Sequence, residues 1–273
     1  VHHVEFSPTG ERIASASRDR TVRLWKPTPR GESDVLKGHS GGVRHVSFSR
    51  NGRNLITASD DKTVKTWSLP DQRFLCAFVG HNNWVRCANF SPDSRMVVSG
   101  GDDKTVKVWD FATRECVKTF FDHDKAVLGT HFHPDGTCVA SCSADGTLKI
   151  WDVRSYQLVQ HYPAHDGHVT SMSFHPTGNY LLSSSTDATV KVWDLREGRA
   201  LCTIPSLHGG GVRAGTFSPD GSHFATAGVD GLVLTWKSNL SLDHTHLVPP
   251  DAPPPMAPAA KHRPGGGCTG LAE

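Results

Sequence analysis

By polarity alone, the chain alternates short apolar or β-branched runs with polar turns. Between 43 and 78 the runs are "VRHVSF" (43–48), "NLITAS" (54–59), "TVKTWS" (63–68) and "RFLCAF" (73–78), separated by "SRNG", "DDK" and "LPDQ". Short runs rich in Val, Ile, Thr and Phe, bounded by Asn, Asp, Gly and Pro, predict strands joined by tight turns. No helical periodicity competes with them.

The pattern recurs along the chain. "SDDKTVKTW" (59–67) is echoed by "GDDKTVKVW" (101–109), and "SRDRTVRLW" (17–25), "SADGTLKIW" (143–151), "STDATVKVW" (185–193) and "GVDGLVLTW" (228–236) complete the set. The tryptophans fall at 25, 67, 109, 151, 193 and 236, a step of 42 residues four times and then 43. Phe6, Phe48, Phe90, Phe132, Phe174 and Phe217 each open an F-[SH]-[PR] turn, and five histidines lie 22 residues before an Asp. Four strands per repeat of this length make one β-propeller blade, and the His…Trp-Asp signature matches the WD40 class. The expected fold is therefore all-β: a WD40 β-propeller over 1–240 with six blades present. The repeats run over about 1–36, 37–78, 79–120, 121–162, 163–205 and 206–248. Residues 241–273 carry seven prolines and "RPGGGCTG", a composition that predicts a disordered Pro/Gly-rich tail.

Composition narrows the function classes. At 37% hydrophobic and 21% charged, 273 residues suffice for a large core. A formal charge of +2, with no Lys/Arg stripe, gives no basis for a nucleic-acid partner. No apolar stretch of ~20 residues favours a membrane span, and nothing at the start reads as a signal. Seven cysteines without framework spacing point to reduced, buried strand residues in the cytosol. Cys138 and Cys142, near His131 and His133, have no second Cys pair to complete a metal site. No Walker loop, nucleophile elbow or zinc-protease motif occurs, so no metal, cofactor or small-molecule substrate is expected.

The recurring polar residues have a structural use. Four residues before each repeat Asp stands a hydroxyl, including Ser15 in the first repeat. The complete sets are His39/Thr57/Asp61/Trp67, His81/Ser99/Asp103/Trp109, His123/Ser141/Asp145/Trp151, His165/Ser183/Asp187/Trp193 and His208/Thr226/Asp230/Trp236. Indole donates, carboxylate accepts, and hydroxyl and neutral imidazole do both, so the four can be chained from Trp to hydroxyl to His to Asp. Ser, His and Asp also spell a hydrolase triad, but catalysis needs one special copy with an exposed nucleophile and an oxyanion site. Equivalent sets in five repeats read as structural tetrads, and no enzyme is expected.

One tryptophan is out of period. Trp84 stands where other repeats have Gly42, Ala126, His168 and Gly211. The loop after the repeat His and the turn at the repeat Asp reach one rim in such propellers, which places Trp84 near Asp60, Asp102, Arg44 and Arg86. An aromatic with neighbouring arginines is the usual makeup of a protein-binding hot spot, while the plainer expectation has Trp84 covering a blade junction.

Several phrases are more specific than the repeat signature. "NNWVRCANFSPDSRMVVSGGDDKTVKVWD" (82–110), "FHPDGTC" (132–138), "QHYPAHDGHV" (160–169), "FHPTGNYLLSSSTD" (174–187) and "WKSNL" (236–240) resemble the Poc family (protein of centriole one) of centriolar WD40 proteins over about 1–240. The resemblance implies a seven-bladed propeller, of which these repeats are blades 2–7, with a C-terminal helical segment that the present tail does not match. It also implies a non-catalytic component of centrioles and basal bodies that supports centriole stability and cilium assembly. Its partners would be centriolar or microtubule-associated proteins, at the centrosome and the cytoplasmic cytoskeleton. The alternative is a general WD40 adaptor, such as a ubiquitin-ligase substrate receptor or an RNA-processing subunit, because fold does not set function. The first repeat lacks the His that would complete Asp19 and Trp25, so a preceding blade is expected.

Overall fold

The computed structural model describes residues 1–29, 31–205 and 207–240; the proline-rich tail of the sequence reading lies outside them. Within these residues six antiparallel sheets follow one another, with no helix. Blade one holds β1 (His3–Phe6), β2 (Ile13–Ala16), β3 (Thr21–Trp25) and β4 (Ser33–Lys37). Blade two holds β5 (Val43–Phe48), β6 (Asn54–Ser59), β7 (Thr63–Ser68) and β8 (Arg73–Val79), and blade three β9 (Val85–Phe90), β10 (Met96–Gly101), β11 (Val106–Asp110) and β12 (Cys116–Phe120). Blade four runs through β13 (Val127–Phe132), β14 (Cys138–Ser143), β15 (Thr147–Asp152) and β16 (Leu158–Pro163), and blade five through β17 (Val169–Phe174), β18 (Tyr180–Ser185), β19 (Thr189–Asp194) and β20 (Arg199–Pro205). Blade six shows β21 (Val212–Phe217), β22 (His223–Gly228) and β23 (Val233–Lys237); the remainder of its expected repeat, from 241, lies outside the described residues. In every sheet the strands pair in chain order, so each blade is a meander.

The core lies between blades. Successive residues of a strand point to opposite faces, and here each face meets a neighbouring blade. Val43, Val46, Phe48 and Trp67 of blade two pack on Ala14, Val22, Leu24 and Leu36 of blade one. The other face of blade two, Ile56, Ala58, Val64 and Phe78, receives Val85, Phe90 and Trp109 of blade three. The same layer repeats at the next three junctions. Burial on both faces explains why the strands read as nearly continuous apolar runs.

The inner strands β1, β5, β9, β13, β17 and β21 contact one another in order. Their free edges leave backbone donors that must be paired, and side chains of the preceding blade accept them. Ser173 Oγ accepts from Phe217 N at 3.2 Å, Ser171 Oγ from Gly215 N at 2.7 Å, and Glu5 Oε1 from Phe48 N at 3.3 Å. Among the described residues the two terminal faces lack such cover. Phe6 is 61% exposed where Phe48 is 5%, and Val233 is 69% exposed where Val64 is 0%.

The cysteine expectation needs correction. Cys76, Cys87 and Cys142 are buried and free, but Cys116 is exposed and Cys138 and Cys202 are half-buried. Cys116 opens the outermost strand of blade three, where one face meets solvent. Cys268 lies outside the described residues.

Candidate functional site

Each tetrad begins with a turn. Asp61 follows β6, and its Oδ1 accepts from Thr63 N at 3.1 Å and Thr63 Oγ1 at 2.6 Å, closing the link to β7. Its Oδ2 lies 2.7 Å from His39 Nδ1 and accepts from Ser40 N at 3.1 Å, which draws in the loop that leads to β5. His39 Nε2 is 2.7 Å from Thr57 Oγ1, and Trp67 Nε1 donates to that hydroxyl at 3.1 Å. With the imidazole proton on Nδ1, all four groups are satisfied in one direction.

The other four sets repeat this geometry. His81 stands 2.8 Å from Asp103 and 2.7 Å from Ser99, and Trp109 donates to Ser99 at 2.8 Å. His123 is 2.9 Å from Asp145 and 2.8 Å from Ser141, which accepts from Trp151 at 2.9 Å. His165 lies 3.0 Å from Asp187 and 2.8 Å from Ser183, and Trp193 completes the set at 2.9 Å. In blade six His208 is 3.1 Å from Asp230 and 3.0 Å from Thr226, which takes the Trp236 donor at 3.0 Å. Blade one retains the Trp25 to Ser15 bond at 2.9 Å.

Burial raises the cost of charge on Asp61, Asp103 and Asp145, yet their hydrogen bonds outweigh it and hold each below the usual carboxylate range. The five hydroxyls are 0% exposed. Each hydroxyl is closed to solvent and spent on hydrogen bonds that tie the loop, the turn and the strands of its blade together.

The rim residues are arranged differently. Arg44 and Arg86 are the second residues of β5 and β9, Asp60 and Asp102 follow β6 and β10, and Trp84 immediately precedes β9. Asp102 N donates to Trp84 O at 2.8 Å, which fixes that loop against the turn. Arg44 grips Asp60 through Nε and Nη2 at 2.7 and 2.9 Å, and Arg86 grips Asp102 through the same two nitrogens at 2.6 Å each. The guanidinium carbons of both arginines lie 5.4 Å from the Trp84 ring centroid, within cation–π range. Hydrogen bonding to Asp102 holds the Arg86 pKa above its ordinary value.

Trp84 is 42% exposed, whereas the tetrad tryptophans are between 1% and 5% exposed. Two fork-to-fork pairs immobilise the arginines beside the indole, so the aromatic is presented at little conformational cost. Each arginine keeps Nη1 without a partner among the described residues, available to an incoming acceptor. All five rim residues named from the sequence thus come together. The pairing of Arg with Asp sixteen residues on was not read from the sequence. Its signal was there: the pair occurs in repeats two and three, while Leu128/Ala144, Thr170/Thr186 and Arg213/Val229 take its place further along.

A comparison with protein families fits the architecture. The family described as WD domain, G-beta repeat matches residues 1–26, 31–68, 72–110, 114–152, 156–194 and 200–237. The chain belongs to this WD40-repeat family, whose members are generally non-catalytic scaffolds and typically bind other proteins. No curated protein matches the chain. Among the described residues no three His, Cys, Asp or Glu side chains are grouped to hold a metal ion, and no helix is long and apolar enough to cross a membrane.

Proposed function

We propose that this WD40 propeller is a non-catalytic interaction scaffold of centrioles and basal bodies, and that it docks a partner protein on the Trp84 rim. The carrying observation is the half-exposed indole held between two arginines that are themselves locked to Asp60 and Asp102. Such pre-organised aromatic and arginine anchors supply most of the binding energy in protein interfaces, and truncating one costs about 2 kcal/mol or more. The centriolar assignment rests on the likeness of residues 82–110, 132–138, 160–169, 174–187 and 236–240 to the Poc family. It carries with it a role in centriole stability and cilium assembly, a cytoskeletal location in the cytoplasm, and centriolar or microtubule-associated partners.

The test is localisation. A fluorescently tagged chain is expected at centrioles and basal bodies, and Trp84→Ala is expected to lose most of that recruitment at equal protein level. A tagged chain concentrated elsewhere would overturn the centriolar reading. Unchanged recruitment of Trp84→Ala would overturn the rim.

A further inference from the structure

The inner strands have a second end. Each begins at the rim, and six residues later, roughly 17–20 Å away, reaches its F-[SH]-[PR] turn. There a cavity of about 280 Å³ opens between the inner-strand ends of blades two to five. At roughly 30 Å³ per water, it has room for one side chain and the group beside it. Its walls are Phe48, Phe90 and Phe132 with Pro92, Pro134 and Pro176, each set in register at 42-residue steps.

Four polar residues interrupt this apolar wall, of which Ser91 spends its hydroxyl within its own turn, on Asp93 Oδ1 and Met96 N. Asn89 spends its amide donor on Thr130 O at 2.6 Å. His131 has no hydrogen-bond partner among the described residues; burial, then the neighbouring His3, pushes its pKa down to about 4. At neutral pH its ring therefore offers one donor and one acceptor nitrogen. Arg50 is exposed, forms no ion pair among the described residues, and is the charged side chain of the lining. It also breaks the repeat, because the equivalent positions are Pro8, Pro92, Pro134, Pro176 and Pro219. The turn closes with proline five times, so the fold does not require an arginine there. Glu5 of β1 is engaged by Ser47 Oγ and Phe48 N.

We infer that this end of the inner strands is a second docking site, which takes a peptide carboxylate flanked by an apolar side chain, with Arg50 on the carboxylate and the Phe/Pro wall around the side chain. A guanidinium presents donors in the geometry of one carboxylate. A doubly charged phosphate would bring charge that no second cation here meets. The half-buried His131 ring supplies a further hydrogen bond at the wall of the cavity. The site does not depend on the Trp84 rim, which lies at the other end of the same strands.

The test is an NMR titration of the whole chain, following the Arg50 and His131 side-chain signals. N-acetyl-leucine serves as probe, and N-acetyl-leucinamide and inorganic phosphate as controls. N-acetyl-leucine is expected to shift both signals and saturate, with affinity reduced about tenfold or more for the amide and for Arg50→Pro, the size of one charge-assisted hydrogen bond. His131→Asn, which installs the residue of the neighbouring repeat, is expected to weaken binding less, and Trp84→Ala not at all. Arg50→Gln carries the same expectation as Arg50→Pro if proline disturbs the turn. No shift, equal binding of the amide, tighter binding of phosphate, or undiminished binding in the Arg50 variants would each overturn the proposal.

Discussion

Buried polar atoms divide into two kinds in this protein. In the tetrads every donor finds an acceptor, and the sequence made this legible because fixed spacing placed His, hydroxyl, Asp and Trp in one register five times. A second group lies along the inner strands and was less legible: His3 and His45 stand one repeat apart, but the later repeats have Cys87, Gly129, Ser171 and Ala214 there, and His131 on β13 has no counterpart histidine in the other repeats. His3 and His45 stack with ring centroids 4.0 Å apart, and the Nδ1 of each is enclosed without a hydrogen-bond partner. Burial lowers the pKa of both and of His131, while burial raises that of Glu5 to about 7. The two effects have opposite signs. An unfolded histidine takes up a proton near pH 6.5 that the folded one resists, so its contribution is present above that pH and is lost as pH falls. Glu5 binds its proton more tightly when folded, so its contribution is present below about pH 4.5 and is lost as pH rises towards 7. Melting temperature is therefore expected to fall as pH is lowered from about 7.5 to about 5.5, and Glu5→Gln should steepen that fall. A flat profile, or a shallower one in Glu5→Gln, would contradict the assignment.

Strands and turns were the most legible level. "VRHVSF", "NLITAS" and "TVKTWS" coincide with β5, β6 and β7, and the fourth run extends by Val79 alone. Their apolar content and turn residues point the same way, and nothing tertiary opposes them. The conformation inside the turns was not legible, because different residues share it. The residue after the repeat Asp has positive φ whether it is Lys62 (68°), Lys104 (67°), Ala188 (63°), Gly146 (85°) or Gly231 (78°). A side chain in this region costs roughly 1–2 kcal/mol relative to glycine, offset in part by the greater freedom of unfolded glycine. Ala188→Gly, which copies the residue used in blades four and six, is expected to raise stability by about 0.5–1 kcal/mol in a denaturant melt. A loss of stability would show that the alanine methyl group makes packing contacts that outweigh the strain.

At the scale of the molecule, the apolar pattern does not distinguish a covered blade face from an uncovered one. Val4 and Phe6 have the same chemistry as Val46 and Phe48, yet they are 53% and 61% exposed because no blade among the described residues packs on that side. Val233 presents the complementary type of face at the other end. If both faces are open in the protein, two such faces on different copies would pair head to tail, a contact that does not close on itself. Sedimentation is expected to show mass rising with concentration, and Phe6→Ser combined with Val233→Ser should suppress the rise. A monomer at every concentration would rule out that pairing.

The division of labour between joint and docking surface remains the central claim, and paired measurements on two variants address it directly. Trp84→Ala should melt within about 0.5 kcal/mol of the parent, as surface substitutions usually do, while recruitment to centrioles falls. His123→Ala should lose about 1–3 kcal/mol of stability by breaking a buried network, with recruitment reduced only in proportion to the unfolded fraction. The contradictory result is a Trp84→Ala protein destabilised as much as His123→Ala whose recruitment tracks its unfolding, which would return Trp84 to the packing of the blade junction.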